Sequence, residues 1–132
     1  MVIKYLFTIL KVTFNESRNY TMELNISINT KYDIERFILI TNIGIMTAIK
    51  EGAISVGDAE NYFYSSYSAE KLKNLNINED VVKLVKLGCK LENIARQVPD
   101  KSNNSINEIR NSSIELLHSM PKTVLPLKNW ID

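Results

Sequence analysis

The chain has 132 residues, 45% of them hydrophobic and 23% charged, which is the size and composition of one globular domain. Its net charge is +1, so strong electrostatic attraction to nucleic acid or to an anionic membrane is not expected. A single cysteine, Cys89, excludes an intramolecular disulfide and favours the reducing cytoplasm. We therefore expect one soluble, cytoplasmic domain without membrane association.

The first 21 residues differ in composition from the rest of the chain. Residues 1–14 are rich in β-branched and aromatic side chains, which is typical of a half-buried strand. A signal peptide is disfavoured, because Lys4 and Lys11 interrupt the apolar run and no small-residue cleavage site follows. A second hypothesis, that translation begins at Met22, is favoured as strongly as the strand at residues 1–14, and the two are not exclusive. Residues 1–21 are therefore treated as an N-terminal extension, either a strand or a misassigned start.

Residues 22–28 alternate between apolar and polar side chains. Leu24, Ile26 and Ile28 fall on one face of an extended segment, and this period of two predicts a strand with one buried face. Such a strand could pair with residues 2–14 as a hairpin. Because a lone two-stranded ribbon is marginally stable, the hairpin would have to pack on helices.

The strongest helical pattern covers residues 31–51. Its apolar side chains recur three and four residues apart, and a second apolar face lies beside the first: Leu39, Ile40, Ile43 and Met46. This helix is therefore predicted to be central and covered on most sides. Its apolar stretch is too short to cross a bilayer, which needs about 20 residues. Gly52 is well placed to end the helix in a left-handed conformation.

Capping signals divide the next part of the chain into short helices. Ser55 and Asp58 form a predicted capping box that starts a helix to about residue 65. A second short helix, capped by Ser66 or Ser68, is predicted to reach about residue 75. Asn78 is the predicted cap of the helix that follows.

The rest of the chain contains two longer helical patterns. Leucine spacing favours one helix over residues 79–98, although Gly88 is a competing end point, and Pro99 ends it. The last helix is predicted over about 102–120, with Ser105 and Glu108 as a capping box, before a tail at 122–132. The predicted fold is mainly α, or α+β if the small N-terminal strand or hairpin forms. It is a compact bundle of about five helices around the central helix 31–51, in a single helical domain over residues 22–121.

The sequence lacks residues with the spacing of a known catalytic or metal-binding motif. His118, the single histidine, lies far from Cys89 in the sequence, and a surface histidine with a packing cysteine is favoured over a catalytic pair. One cysteine and one histidine are a poor supply of ligands for zinc, and no glycine-rich phosphate loop is present. We predict no catalytic residues, no metal site and no cofactor.

Two clusters are candidates for an interaction surface. The first is aromatic and comprises Tyr62, Phe63, Tyr64 and Tyr67. Aromatic side chains with polar tips are enriched at interfaces, so Tyr62, Tyr64 and Tyr67 are candidate contacts. Burial in the core is the stronger hypothesis for the cluster, with Phe63 as its most inward member.

The second cluster is a stripe of lysines on the predicted helix 79–98. Lys83, Lys86 and Lys90 are spaced to share one helix face, which could bind an anionic partner. A solvated helix face is the stronger hypothesis, because such stripes are common on surface helices.

Three segments carry a resemblance to a known family: DIERFILITNIGIMTAIKEGAISVGDAENYFYS, VVKLVKLGCKLENIARQVPDK and SINEIRNSSIELLHSMPK. They resemble an uncharacterised bacterial family of small helical proteins, about 100 residues long and thus of ordinary domain size. The resemblance covers about residues 22–122. It is a domain-of-unknown-function family, so it implies no activity and no site residues.

The favoured function is a small intracellular protein-binding or regulatory module, such as an adaptor or a toxin-immunity protein, whose partner is another protein or a second copy of the chain. A nucleic-acid-binding accessory protein, which would use the lysine stripe, is the less favoured alternative. The least favoured is an enzyme with a site of dispersed carboxylates and His118.

Overall fold

The computed structural model describes residues 22–122 and 129–132. The described chain is mainly helical, which confirms the predicted fold class. It contains six helices: α1 (Lys31–Lys50), α2 (Val56–Tyr62), α3 (Ser66–Asn74), α4 (Glu79–Cys89), α5 (Leu91–Gln97) and α6 (Pro99–Ser119). Within the described ranges, no helix is both long and apolar enough to span a membrane. The predicted strand at 2–14 lies outside the described residues.

Helix α1 shares the predicted central position with α6, which packs against α1, α4 and α5, whereas α1 packs mainly against α6 and is covered on fewer sides than predicted. It begins after Thr30, whose hydroxyl accepts a hydrogen bond from the Asp33 amide at 3.2 Å. Ile38, Leu39 and Met46 are fully buried on its inner side. The chain leaves the helix through Gly52, whose φ of 75° is the left-handed conformation that glycine adopts at little cost.

Helix α6 packs along α1 as an antiparallel partner. Hydrogen-bonded pairs show the direction, because the residue numbers on α6 rise as those on α1 fall: Lys50 with Asn107, Thr47 with Arg110, Asn42 with Ser113, and Tyr32 with Pro121 just beyond α6. Ile106 and Ile109 are the apolar residues that α6 buries most deeply. The two longest helices thus form the frame on which the others pack.

Helices α2 and α3 both begin with a serine side-chain cap, but only the cap of α2 is the one predicted. Ser55 and Asp58 form the predicted capping box, with both hydrogen bonds present at 3.0 and 3.1 Å. The cap of α3 is Ser65, so the prediction of Ser66 or Ser68 is wrong. The Ser65 hydroxyl accepts from the Ser68 amide at 3.1 Å, which places the helix start one residue earlier.

The predicted single helix 79–98 is two helices. Asn78 caps α4 as predicted, but α4 ends at Cys89 and α5 starts at Leu91. The break allows α5 to pack against α2, while α4 packs against α3 and α6. The leucine spacing over residues 79–98 did not reveal this break, because α4 and α5 both pack an apolar face against α6.

The start of α6 also differs from the prediction. The helix begins at Pro99, which takes the first helical position, where its missing N–H is not needed. Pro99 therefore starts a helix as well as ending one. The predicted capping box of Ser105 and Glu108 is wrong, since both residues lie inside α6.

Residues 22–28 are extended but do not form the predicted strand. They make one isolated antiparallel bridge, between Ile26 and Ile131, flanked by hydrogen bonds from the Ser27 amide to the Trp130 carbonyl and from the Asp132 amide to the Asn25 carbonyl, each at 2.9 Å. Ile26 and Ile28 are buried as the alternation predicts, but Leu24, predicted on the same face, is 41% exposed because the segment pairs only around Ile26. The end of the predicted tail thus packs on the helical domain.

Candidate functional site

An open groove lies between residues 32–43 of α1 and residues 114–122 at the end of α6 and just beyond it. Its volume is about 470 Å³, within the range of about 300–1,000 Å³ usual for ligand sites. Its lining combines an apolar floor with a polar rim: Tyr32, Arg36, Ile43, Ile114, Leu117, His118, Met120 and Lys122. We call this the α1–α6 groove.

The floor of the α1–α6 groove consists of side chains that the core covers only in part. Ile43, Ile114, Leu117 and Met120 are all half-buried. Ile40, one turn from Ile43 on the same helix, is 44% exposed. The second apolar face that the sequence predicts on α1 is therefore closed at Leu39 and Met46 and open at Ile40 and Ile43.

The rim of the groove carries two cations, Arg36 and Lys122, and the imidazole of His118. Arg36 stands on α1, and His118 and Lys122 stand on or just after the last turn of α6. No aspartate or glutamate is among the described residues that line the groove.

Tyr32 fixes one end of the groove. Its hydroxyl donates a 2.6 Å hydrogen bond to the Pro121 carbonyl, which joins the start of α1 to the end of α6. The Arg36 guanidinium lies 5.6 Å from the centre of the Tyr32 ring, a distance at which a cation is attracted to the ring face. Arg36 is therefore held beside the apolar floor by the same residue that closes the groove.

The predicted lysine stripe lines a different groove. Lys83 and Lys86 are exposed on α4 and, with Lys73 at the end of α3, border a space of about 460 Å³. Glu79 contributes an opposite charge to the same lining. Lys90 is exposed at the junction of α4 and α5 and is not among the described residues that line this groove.

The aromatic cluster is divided between surface and core. Tyr62 is 47% exposed and Tyr67 is 54% exposed, so both remain accessible. Phe63 is buried as predicted and meets Tyr64 edge to face at 5.1 Å between ring centres. Tyr64 is only 1% exposed, so its proposed place on an interaction surface is wrong.

Tyr64 is buried because a chain of polar groups receives its hydroxyl. The hydroxyl donates to Asn42 Oδ1 at 2.8 Å, and Asn42 Nδ2 donates to Ser113 Oγ at 3.2 Å. Burial raises the pKa of the Tyr64 hydroxyl, which keeps it protonated as the donor. All three side chains are buried, so this polar triad ties the α2–α3 connection to both α1 and α6.

Gly88 makes room for the Tyr64 ring. A β-carbon at position 88 would lie 2.2 Å from Tyr64 Cδ1, far inside normal contact distance. The glycine that the sequence offers as a helix terminator is therefore a packing residue.

Cys89 lies beside this core and is half-buried. Its thiol donates to the Ser65 carbonyl at 3.3 Å. Burial, and after it the charge of Glu60, raise the pKa of Cys89, so the nucleophilic thiolate is disfavoured. These surroundings agree with a packing role.

An acidic pair joins α2 to α5 at the surface. A hydrogen bond with Glu92 raises the pKa of Glu60, while the same bond and then Arg96 lower the pKa of Glu92. Arg96 lies 2.8 Å from the Glu92 carboxylate, one turn along α5. Across the described part of the chain, no group of three or more histidine, cysteine or carboxylate side chains is arranged to hold a metal ion.

Comparison with known proteins places the chain in a family. No curated protein and no solved structure matches it. One family model does, described as a protein of unknown function (DUF3969), and it matches residues 29–132. The match includes both helices of the α1–α6 groove and residues 129–132. The chain therefore belongs to this family of proteins of unknown function.

Proposed function

We propose that the chain is a small protein-binding module that receives a segment of a partner protein in the α1–α6 groove. The observation that carries this proposal is the half-buried floor of Ile43, Ile114, Leu117 and Met120 between the two longest helices. A contiguous apolar surface with a polar rim is typical of sites of protein association.

The groove is better suited to this role than the clusters that the sequence singles out. Tyr62 and Tyr67 are exposed, but Tyr64, which lies between them in the sequence, is in the core. The three tyrosines therefore do not form a continuous aromatic surface. A partner segment that covered the α1–α6 groove would bury apolar atoms of both helices at once. Burial of apolar area is the main favourable contribution in most protein associations.

We further propose that this module works in the cytoplasm. Cys89 is the only cysteine of the chain and is held as a half-buried thiol. A domain that is stable without disulfides suits a reducing compartment.

A displayed peptide library, panned against the purified chain, tests the proposed binding. We expect enriched peptides to bind the wild-type chain and to lose about tenfold in affinity, or about 1.4 kcal/mol, with Leu117→Asn, which makes the groove floor polar. Leu87→Asn is the matched control, because Leu87 is also a half-buried leucine packed on the core but does not line the groove.

Circular dichroism and urea unfolding of both variants would show that each is folded at the assay temperature. A library that enriches no peptide above background would overturn the proposed function. So would enriched peptides whose affinity falls equally with Leu117→Asn and Leu87→Asn, since the groove would then not be their site.

A further inference from the structure

We infer that the α1–α6 groove takes an acidic amphipathic helix of another protein. This inference rests on the proposed function and names its partner segment. The carrying observation is the juxtaposition of an apolar floor with two cations, Arg36 and Lys122, in a lining to which no described carboxylate contributes. A segment with apolar residues on one face and carboxylates beside them would complement both properties.

The shape of the groove favours a helix over an extended strand. Its walls are two antiparallel helices, and an amphipathic helix packs naturally into the groove between a helical pair. Along α1 the lining runs from Tyr32 to Ile43, which is about 16 Å at about 1.5 Å per residue. That length corresponds to three turns of a bound helix, enough for apolar contacts at positions i, i+3 or i+4, and i+7. The described groove is not the edge of a sheet, to which an extended peptide would add by backbone pairing.

Arg36 is prepared to receive a carboxylate. The contact with the Tyr32 ring restricts its guanidinium, and the Tyr32 hydroxyl is itself bonded to the Pro121 carbonyl. A guanidinium held in this way loses less freedom when it pairs with a carboxylate, and its planar donors match the two carboxylate oxygens. Lys122, on the other wall, offers a second cation that is exposed to solvent.

The same charges argue against a second copy of the chain as the occupant. A two-fold interface places the same surface on both subunits. Such a dimer through the groove would place two copies of the same cationic rim, with Arg36 and Lys122, in one interface. Like charges in an interface disfavour association, so an acidic partner is preferred to self-association.

Nucleic acid is also a poorer occupant of this groove. Phosphates would pair with Arg36 and Lys122 but would leave the apolar floor without a matching surface. The lysines of the second groove lie on α3 and α4 and do not extend this cationic rim. The floor therefore selects a partner with apolar side chains.

The test uses two designed helical peptides and fluorescence anisotropy at low salt. Both would be about 15 residues long, since shorter isolated helices are marginal in water, and would share leucines at helical spacing. One peptide carries glutamates beside the leucines and the other carries glutamines. We expect the acidic peptide to bind the wild-type chain about tenfold more tightly, and the difference to shrink at about 0.5 M salt.

A charge-reversed chain, Arg36→Glu with Lys122→Glu, should lose this preference for the acidic peptide. Lys83→Glu with Lys86→Glu is the matched control, because it changes the net charge equally but alters the second groove. The milder pair Arg36→Gln with Lys122→Gln should give an intermediate result and covers the case in which the reversed chain fails to fold. The control should keep the wild-type preference.

Several outcomes would overturn the inference. Equal binding of both peptides, lost with Leu117→Asn, would refute the acidic partner while the proposed protein-binding function stands. Failure of both peptides together with an unenriched library would refute the function itself. A dimer in sedimentation equilibrium that Leu117→Asn dissociates would identify a second copy as the occupant. An oligonucleotide that binds the wild-type chain but not the Arg36 and Lys122 variants would identify nucleic acid.

Discussion

The inner and outer faces of the α1–α6 pair carry opposite chemistry at neighbouring positions. Asn42 and Ser113 point inward, are fully buried and hydrogen-bond to each other at 3.2 Å. Ile43 and Ile114, the next residue on each helix, line the open groove. The interior thus contains a polar contact where the surface contains an apolar one.

This contrast separates what stabilises the fold from what remains available to a partner. Among the described residues, no buried side-chain polar atom lacks a hydrogen-bond partner, so the triad of Tyr64, Asn42 and Ser113 carries little penalty for burial. The groove floor, by comparison, has apolar area that the described residues do not cover. Substitutions should therefore affect stability on the inner face and binding on the outer one.

The largest stability effect is expected from Gly88→Ala. Its new methyl group would occupy the space of the Tyr64 ring, and overpacking of this kind costs typically about 1–3 kcal/mol and occasionally more. Gly44→Ala is the matched control, because Gly44 is also within a helix but has no atom within 4 Å of the added carbon. It should stabilise the chain by up to about 1 kcal/mol through helix propensity.

Urea unfolding followed by circular dichroism measures both free energies. If Gly88→Ala were as stabilising as Gly44→Ala, the Tyr64 ring would not lie on Gly88. The sequence of α4 alone does not show whether Gly88→Ala stabilises or destabilises the chain, because from sequence Gly88 is only a weak helix former.

Tyr64→Phe should have the next largest effect. It removes the donor to Asn42 Oδ1 and leaves that buried oxygen unsatisfied, which costs about 1–3 kcal/mol. Tyr67→Phe is the control, because Tyr67 is 54% exposed, and surface substitutions usually change stability by no more than about 0.5 kcal/mol. The unfolding free energies of the two variants give the comparison, and equal values would place Tyr64 outside the polar triad. Folded Tyr64→Phe protein should still bind groove peptides.

Alkaline pH should lower the free energy of unfolding of the wild-type chain more than that of Tyr64→Phe. The pKa of Tyr64 is raised by burial in the folded state, so the folded chain retains a proton that the unfolded chain loses above its ordinary pKa of 10.0. The contribution of Tyr64 to stability is therefore present below that pH and falls as pH rises. The slope approaches about 1.4 kcal/mol per pH unit.

Urea unfolding at pH 8 and at pH 10 to 11 would check this dependence. The wild-type chain should lose more stability than Tyr64→Phe over that interval. A parallel loss in the two proteins would mean that Tyr64 ionises equally easily in the folded and unfolded states. Cys89, whose pKa burial also raises, should contribute to the loss in both proteins.

Some local features of the fold could be predicted from sequence, because their causes are local, although the cap of α3 and the start of α6 were predicted wrongly. The cap at Asn78 and the box of Ser55 and Asp58 depend on residues within one helical turn. The break between α4 and α5 lies beside Gly88, the competing end point, but the leucine spacing favoured a continuous helix. The packing of α5 against α2 is a long-range contact that this spacing does not show.

The candidate site was harder to predict, because it depends on the pairing of distant helices. The second apolar face of α1 was visible as Ile40 and Ile43, but nothing in the sequence showed which part of it would stay uncovered. Arg36 and His118 are separated by most of the chain and share a groove only after α6 lies antiparallel to α1. Likewise, the sequence did not indicate which of the clustered tyrosines would reach Asn42.

Trp130 gives this domain a single intrinsic fluorophore. It is the only tryptophan of the chain, and its ring meets Phe37 edge to face at 5.4 Å between ring centres. Phe37 follows Arg36 on α1, so the indole packs on the residue next to one that lines the groove. Emission excited selectively from tryptophan therefore comes from one place, where the end of the chain rests on α1.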